Sequence, residues 1–177
     1  MIYLIVGSSG SGKTTQANIL RKRDNFFRII TYTTRAPRKG EINEVDYFFV
    51  NRETFLKLKR EDFFLEVTEY SNNYYGTPKL EIEKYINSDK NAVLVVDLNG
   101  VKKIKEKFKN SICIYLKLDQ ATLVERMNAR GDSTKKIEDR LKAAQDFTPY
   151  ANYILDASKS VSKISREISE IVDITQK

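Results

Sequence analysis

The sequence predicts a three-layer α/β fold with a parallel central sheet, on three observations. Four short apolar runs, Ile2 to Val6, Ala92 to Val96, Ser111 to Leu118 and Tyr153 to Leu155, are continuous more than alternating. That is the pattern of strands buried on both faces. Stretches with the 3.6-residue spacing of helices lie between them, as strand–helix alternation requires. A glycine-rich loop leaves the first run directly, at the sheet edge where open α/β folds bind ligands. With 177 residues, 41% hydrophobic and 11% aromatic, the chain suits one domain with a sizeable core.

Ile2 to Val6 is the first strand, and Gly7-Ser8-Ser9-Gly10-Ser11-Gly12-Lys13-Thr14 follows it, matching G-x-x-x-x-G-K-[ST]. A helix-compatible run, Thr14 to Arg23, comes next. The glycines let backbone N–H groups turn around a phosphate, and the helix N-terminus adds partial positive charge. Lys13 then reaches the β and γ phosphates of ATP, and the Thr14 hydroxyl can ligate Mg²⁺. Ser8, Ser9, Gly10, Ser11, Gly12 and Thr15 complete the expected ATP-binding stretch.

From Thr31 to Pro78 the texture changes to tyrosine-rich and partly alternating. Phe63 to Tyr70 alternates, Asp46 to Val50 is a second strand candidate, and Arg52 to Lys59 reads as a short helix. A small mixed lobe inserted between the first two parallel strands fits best. Asp97 ends the run Ala92 to Val96, so it emerges at the C-terminal edge beside the phosphate loop, where ligands of open α/β sheets lie and where it can also cap the next helix. Helical spacing follows at Val101, Ile104 and Phe108, at Leu123, Val124 and Met127, and at Ile164, Ile168 and Ile171. Between Ala129 and Tyr150 many charges surround few apolar anchors, Ile137, Leu141 and Phe147, which predicts an exposed, weakly packed helical piece.

Composition excludes several chemistries. There is no His, and lone Cys113 lies in the apolar Ile112-Cys113-Ile114, so zinc sites, His general-base catalysis and internal disulfides are out. No window approaches the roughly 18 apolar residues of a membrane span, and the start lacks a signal-peptide pattern, so a cytoplasmic protein is expected. The 31 basic against 24 acidic residues give +7, which by charge alone suits nucleic acid and a site for several phosphates equally; neither a nucleic-acid nor a membrane partner is expected. A GTPase would carry an Asn/Thr-Lys-x-Asp motif, which is missing here.

Three further segments appear in order: Tyr32-Thr33-Thr34-Arg35-Ala36-Pro37-Arg38-Lys39-Gly40-Glu41 followed by Asp46-Tyr47-Phe48-Phe49; Phe64-Leu65-Glu66 followed by Tyr74-Tyr75-Gly76-Thr77; and Val96-Asp97-Leu98-Asn99-Gly100-Val101. With the phosphate loop they make the sequence resemble the guanylate kinases, nucleoside monophosphate kinases of the P-loop NTPase fold. The resemblance implies transfer of the γ-phosphate of ATP to GMP, and to dGMP, with Mg²⁺, in a monomer or homodimer. It divides the chain into a core (1–30, 79–125 and 151–177), an acceptor-binding lobe (31–78) and a helical lid (126–150).

Residue chemistry points the same way. Arg35 and Arg38 stand three apart around Pro37, and two planar donors can clamp one phosphate. The resemblance adds the hydroxyls of Tyr47 and Tyr75 to that phosphate and those of Thr31 and Thr77 to the base, and it implies that Asp97 holds Mg²⁺ through water or orients the reacting phosphates. Glu66 can accept from guanine N1–H and N2–H₂ together, a pattern adenine lacks. Arg126, Arg130 and Arg140 match lid arginines that would cover ATP and stabilise the transferring phosphoryl group, with Gly131 as hinge.

Three positions depart from the family pattern. Val95 stands where a carboxylate usually does, Glu44 replaces a common glycine, and Asn99 replaces Gln. Two other readings share these residues: a same-fold kinase for a different phosphorylated acceptor, and a non-catalytic guanylate-kinase-like binding module.

Overall fold

The computed structural model describes residues 1–85 and 88–176. Its larger sheet has five parallel strands: β1 (Ile2–Val6), β2 (Phe26–Arg28), β7 (Asn91–Val95), β8 (Ile112–Lys117) and β9 (Tyr153–Asp156), in the order β2-β7-β1-β8-β9. The four apolar runs are four of these strands. The fifth, β2, is three residues with only Phe26 buried, too short to leave a pattern, so two strands and not one precede the inserted lobe.

Alternation along β1 builds the three layers. Ile2, Leu4 and Val6 face a cluster with Val101 and Ile104 of α4 (Leu98–Lys107) and Phe108 just beyond its end. Tyr3 and Ile5 face the other side, against Ala17 and Leu20 of α1 (Lys13–Leu20) and Ile164, Ile168, Ile171 and Val172 of α7 (Val161–Thr175). Both faces are covered, which is why the strands read as continuous apolar runs. Cys113 is buried in the first cluster as a free thiol. Among the described residues no helix is long and apolar enough to cross a membrane.

The smaller sheet has four strands: β3 (Tyr32–Thr33), β4 (Phe48–Phe49), β5 (Phe64–Tyr70) and β6 (Asn73–Pro78), in the order β4-β3-β6-β5. Only β3 and β4 run parallel. Its core is aromatic: Phe55 of α2 (Arg52–Arg60) is fully buried and stacks on Phe64 at 4.6 Å and Tyr74 at 5.5 Å. Gly76 is required in β6, because a Cβ there would sit 2.7 Å from the Phe64 ring. A short helix, α3 (Lys79–Glu83), leads back to the larger sheet.

The turn before β4 answers the question raised by Glu44. It keeps a left-handed residue, φ 67°, with a side chain in place of glycine. After β8 come α5 (Gln120–Ala129) and α6 (Thr134–Lys142). This segment is better anchored than its charge suggests. Ile137 packs with Leu123 and Met127, and Phe147 is 3% exposed in the main core beside Tyr115, so the expectation of a weakly packed piece fails at both anchors.

Candidate active site

β1 delivers the chain to Gly7, where a Cβ would meet the Leu116 carbonyl oxygen at 2.5 Å, so no other residue fits. The loop closes through Ser11 N–H donating to the Ser8 carbonyl at 3.1 Å. Left-handed Gly12, φ 91°, starts α1 without any side-chain cap, leaving the first-turn N–H groups for an anion. Lys13 Nζ folds over the loop and donates to the Ser8 carbonyl at 2.8 Å.

Every residue that the sequence assigned to ATP, GMP or Mg²⁺ lines one cleft of about 410 Å³, with Ser11 the exception. Ser11 is buried, and its Oγ lies against Gly7 with no partner among the described residues, so its side chain packs the loop from behind and only its backbone can serve a phosphate. Lys13, Arg35, Arg38, Arg126, Arg130 and Arg140 face the cleft against the carboxylates Glu41, Glu66 and Asp97. Burial, and then the nearby Arg38, Arg130 and Arg140, push the Lys13 ammonium down to about 7. Anionic phosphates are what such a crowd lacks.

The two clamp arginines are not equivalent. Arg35 is engaged by Glu41 in a two-bond fork, 2.9 Å each, while its Nη1 also donates to the Ala36 carbonyl at 2.7 Å. Its guanidinium lies over the rings of Tyr47 at 5.4 Å and Phe49 at 5.6 Å. Arg38 is held by its backbone, whose N–H donates to Glu41 at 2.7 Å; its guanidinium approaches Glu41 only to 3.8 Å and stays open to the cleft. Burial and its neighbour Arg35 lower its pKa. Glu41 was missed by sequence reasoning, and its signal was a carboxylate three residues beyond Arg38 at the end of the same turn.

Glu66 sits on β5 and is 9% exposed. Thr77 Oγ1 donates to Oε1 at 2.7 Å and Thr68 Oγ1 to Oε2 at 3.4 Å. Asn99 Nδ2 donates in turn to Thr68 Oγ1 at 3.1 Å and to the Val67 carbonyl at 3.2 Å, tying β5 to α4. Burial, reinforced by the charge of Asp97, raises the Glu66 carboxyl to about 7. Thr31 and Val95 share this part of the cleft.

Asp97 caps a helix and lines the cleft at once. Its Oδ1 accepts from Gly100 N–H at 2.9 Å and caps α4, while the residue lines the cleft together with Thr14. The two supply hard oxygen donors of the kind Mg²⁺ prefers. No group of three acidic residues that could hold a metal unaided exists among the described residues. Such a pair fits a magnesium ion that takes most of its ligands from phosphates and water.

Three arginines close the other wall. Arg126 Nη2 donates to the Ala157 carbonyl at 2.9 Å and Nη1 to the Gly10 carbonyl at 3.4 Å, bracing the phosphate loop. Arg130, at the end of α5, reaches Ser9 Oγ at 3.4 Å. Arg130 and Arg140, on α6, share the carboxylate of Asp132, a partner the sequence did not disclose.

The guanylate kinase family model matches residues 1–174. The chain is 40% identical over 155 residues to a guanylate kinase of Clostridium perfringens (strain 13 / Type A), covering 86% of this chain and 72% of that one. It is 35% identical over 173 residues to a guanylate kinase of Caldanaerobacter subterraneus subsp. tengcongensis, covering 93% and 84%. The crystal structure of guanylate kinase from Anaplasma phagocytophilum superposes with a TM-score of 0.72 at 25% identity, over 99% of this chain and 86% of that one. A gluconokinase from Sinorhizobium meliloti 1021, with a TM-score of 0.53 at 15% identity over 93% and 87%, shares the fold. An intact phosphate loop, a family-model match over nearly the whole length and relatives at 35% and 40% identity lead to one conclusion: this chain belongs to the guanylate kinase family.

Proposed function

We propose that this protein transfers the γ-phosphate of ATP to GMP, giving ADP and GDP, and that dGMP serves as a second acceptor. The observation that carries the acceptor assignment is the position of Glu66: a buried carboxylate whose hydroxyl partners aim it into the same cleft as Arg38 and Tyr47. A purine monophosphate offers one end to each. Guanine N1–H and N2–H₂ can donate to the two carboxylate oxygens, and the α-phosphate can meet Arg38, Arg35 and the hydroxyls of Tyr47 and Tyr75.

On the donor side, the backbone N–H groups of the loop and α1 bind the triphosphate, and Lys13 turns from the Ser8 carbonyl to the β and γ oxygens. Thr14 and Asp97, the latter through water, would hold Mg²⁺, which supplies charge neutralisation on those oxygens when bound. Transfer then needs positioning and cations. The acceptor phosphate oxygen attacks the γ-phosphorus in line while the bond from that phosphorus to the β–γ bridging oxygen breaks and ADP leaves, and Arg38, Arg130 and Arg140 stabilise the negative charge spread over the equatorial oxygens. Arg126 holds the loop in shape beneath the nucleotide. Residues 31–78 then act as the acceptor lobe and 126–150 as the lid over the core.

The test is a coupled assay of ADP release with ATP, Mg²⁺ and a panel of GMP, dGMP, IMP and AMP. Turnover with GMP far above AMP supports the assignment. Turnover with another acceptor only, or none, identifies a same-fold kinase of different specificity or a binding module.

A further inference from the structure

A second buried charge lies outside the cleft. Arg28, the last residue of β2, has a side chain only 4% exposed. Its Nη1 donates to Asn18 Oδ1 at 2.6 Å and to the Val45 carbonyl at 3.3 Å, and its Nη2 to the Asp46 carbonyl at 2.7 Å. The Asp46 carboxylate lies 3.4 Å from Nη1, and its other oxygen accepts from Ile42 N–H at 2.9 Å. Arg28 Nε has no partner among the described residues. A buried guanidinium with one donor unsatisfied is a poor way to gain stability, since a well-packed apolar side chain often does as well or better. What this one gains is connection.

Arg28 and its three partners belong to three parts of the molecule. Asn18 is on α1, four residues beyond Thr14 and therefore on the same helical face as that expected magnesium ligand. Arg28 itself is in register with Val93 in the larger sheet. Val45 and Asp46 belong to the turn of left-handed Glu44, which leads directly into Tyr47. One guanidinium thus joins the helix that starts at the donor phosphates to the residue before a tyrosine of the acceptor phosphate site.

We propose that Arg28 is a positioning residue for phosphoryl transfer: it fixes the register between the donor-phosphate helix α1 and the acceptor-phosphate residue Tyr47. This rests on the proposed function. In-line transfer requires the reacting atoms to meet within a few tenths of an ångström of the productive geometry, and a misplacement of about 1 Å costs on the order of a hundredfold in rate. The three-point attachment sets that spacing without touching either substrate.

The experiment compares wild type with Arg28→Lys, Arg28→Met and Asn18→Leu. Lysine keeps the charge and loses the planar fork. Asn18 is half-buried on a helix surface, so its substitution removes the α1 end while Arg28 and Asp46 stay paired. For each variant, kcat at saturating ATP and GMP is measured beside the calorimetric Kd for ATP alone and the folded fraction by circular dichroism. The expected result is a kcat lowered about tenfold to a hundredfold in folded Arg28→Lys and Asn18→Leu, with the Kd for ATP within about twofold of wild type. Wild-type kcat in folded variants, or a loss of kcat matched by the loss of folded protein or of ATP affinity, overturns the positioning role and reduces the network to a structural one. Absence of GMP turnover by the wild type itself overturns the function on which the proposal rests, and the two failures are thereby distinguished.

Discussion

Glu41 holds Arg35 in a fork of two 2.9 Å hydrogen bonds, so one of the two arginines proposed to clamp the acceptor phosphate is already spoken for before any ligand arrives. Glu41 orients Arg35 and leaves Arg38 as the freer charge. Arg38→Ala is therefore expected to weaken GMP binding roughly tenfold to a hundredfold, the value of one charge-assisted partner at about 1.5–3 kcal/mol, while ATP affinity changes much less. Glu41→Gln should also raise the KM for GMP, because Arg35 loses its fork. Titrations of each variant with GMP and with ATP check this; equal losses for both ligands would show that the arginines do not belong to the acceptor.

Glu44 occupies a left-handed conformation that costs a residue with a Cβ about 1–2 kcal/mol. Glu44→Gly relieves that strain and adds some chain entropy to the unfolded state, so a net gain of about 0.5–1 kcal/mol is expected. Thermal unfolding should shift upward by roughly 1–4 °C for a chain of this size, with GMP turnover unchanged. A lower Tm would mean that the turn draws stability from the Glu44 side chain.

The pH dependence follows from two opposed shifts. Glu66, raised to about 7, must be ionised to accept from guanine, and Lys13, lowered to about 7, must be protonated to meet the triphosphate. In the free enzyme kcat/KM for GMP should rise with pH through about 7, and kcat/KM for ATP should fall through about the same value. The stability effect of Glu66 has the sign of a buried carboxyl. Its folded pKa, about 7, exceeds the reference 4.5, so the folded state keeps its proton while the unfolded chain loses it, and stability declines as pH rises between those values. Glu66→Gln should remove that decline and be the more stable protein above pH 7, by on the order of 1–3 kcal/mol. Denaturant midpoints at pH 5 and pH 8 for both proteins check the sign; a less stable glutamine variant at pH 8 would contradict it.

How much of this was legible beforehand depends on whether the physics is local. Ile2 to Val6 and its phosphate loop were readable because a strand, a loop and a helix N-terminus adjoin in the chain, and the apolar runs of β7, β8 and β9 carry the mark of double burial. β2 was not, since three residues paired with Asn91 to Val93 hold their place through the neighbouring strand and not through a pattern of their own. The cleft residues could be named from ordered motifs, but their partners could not: Asp132 beneath Arg130 and Arg140, and Thr68 and Asn99 behind Glu66, are set by packing between elements. Phe147 looked like a lone apolar residue among charges, yet it closes the core against Tyr115 from more than thirty residues away in the chain.

Lys13 sits over the loop with its ammonium partly discharged by its surroundings, so its removal costs little stability and much chemistry. Lys13→Ala should fold as wild type does and lose about three orders of magnitude in turnover, the value of several kcal/mol of transition-state charge stabilisation. Circular dichroism and the ADP-release assay together decide this, and near wild-type turnover would remove the kinase assignment.

The most direct test of the account is base choice, measured as kcat/KM for GMP, IMP and AMP in wild type and in Glu66→Gln. If the buried carboxylate reads N1–H and N2–H₂, GMP is the best acceptor, IMP is poorer for want of the amino group, and AMP is poorest because its N1 lone pair faces a carboxylate. Glu66→Gln should then erode the preference for GMP and leave ATP affinity as it was. Similar values for all three acceptors in the wild type would contradict the account, because Glu66 would then have no part in choosing the base.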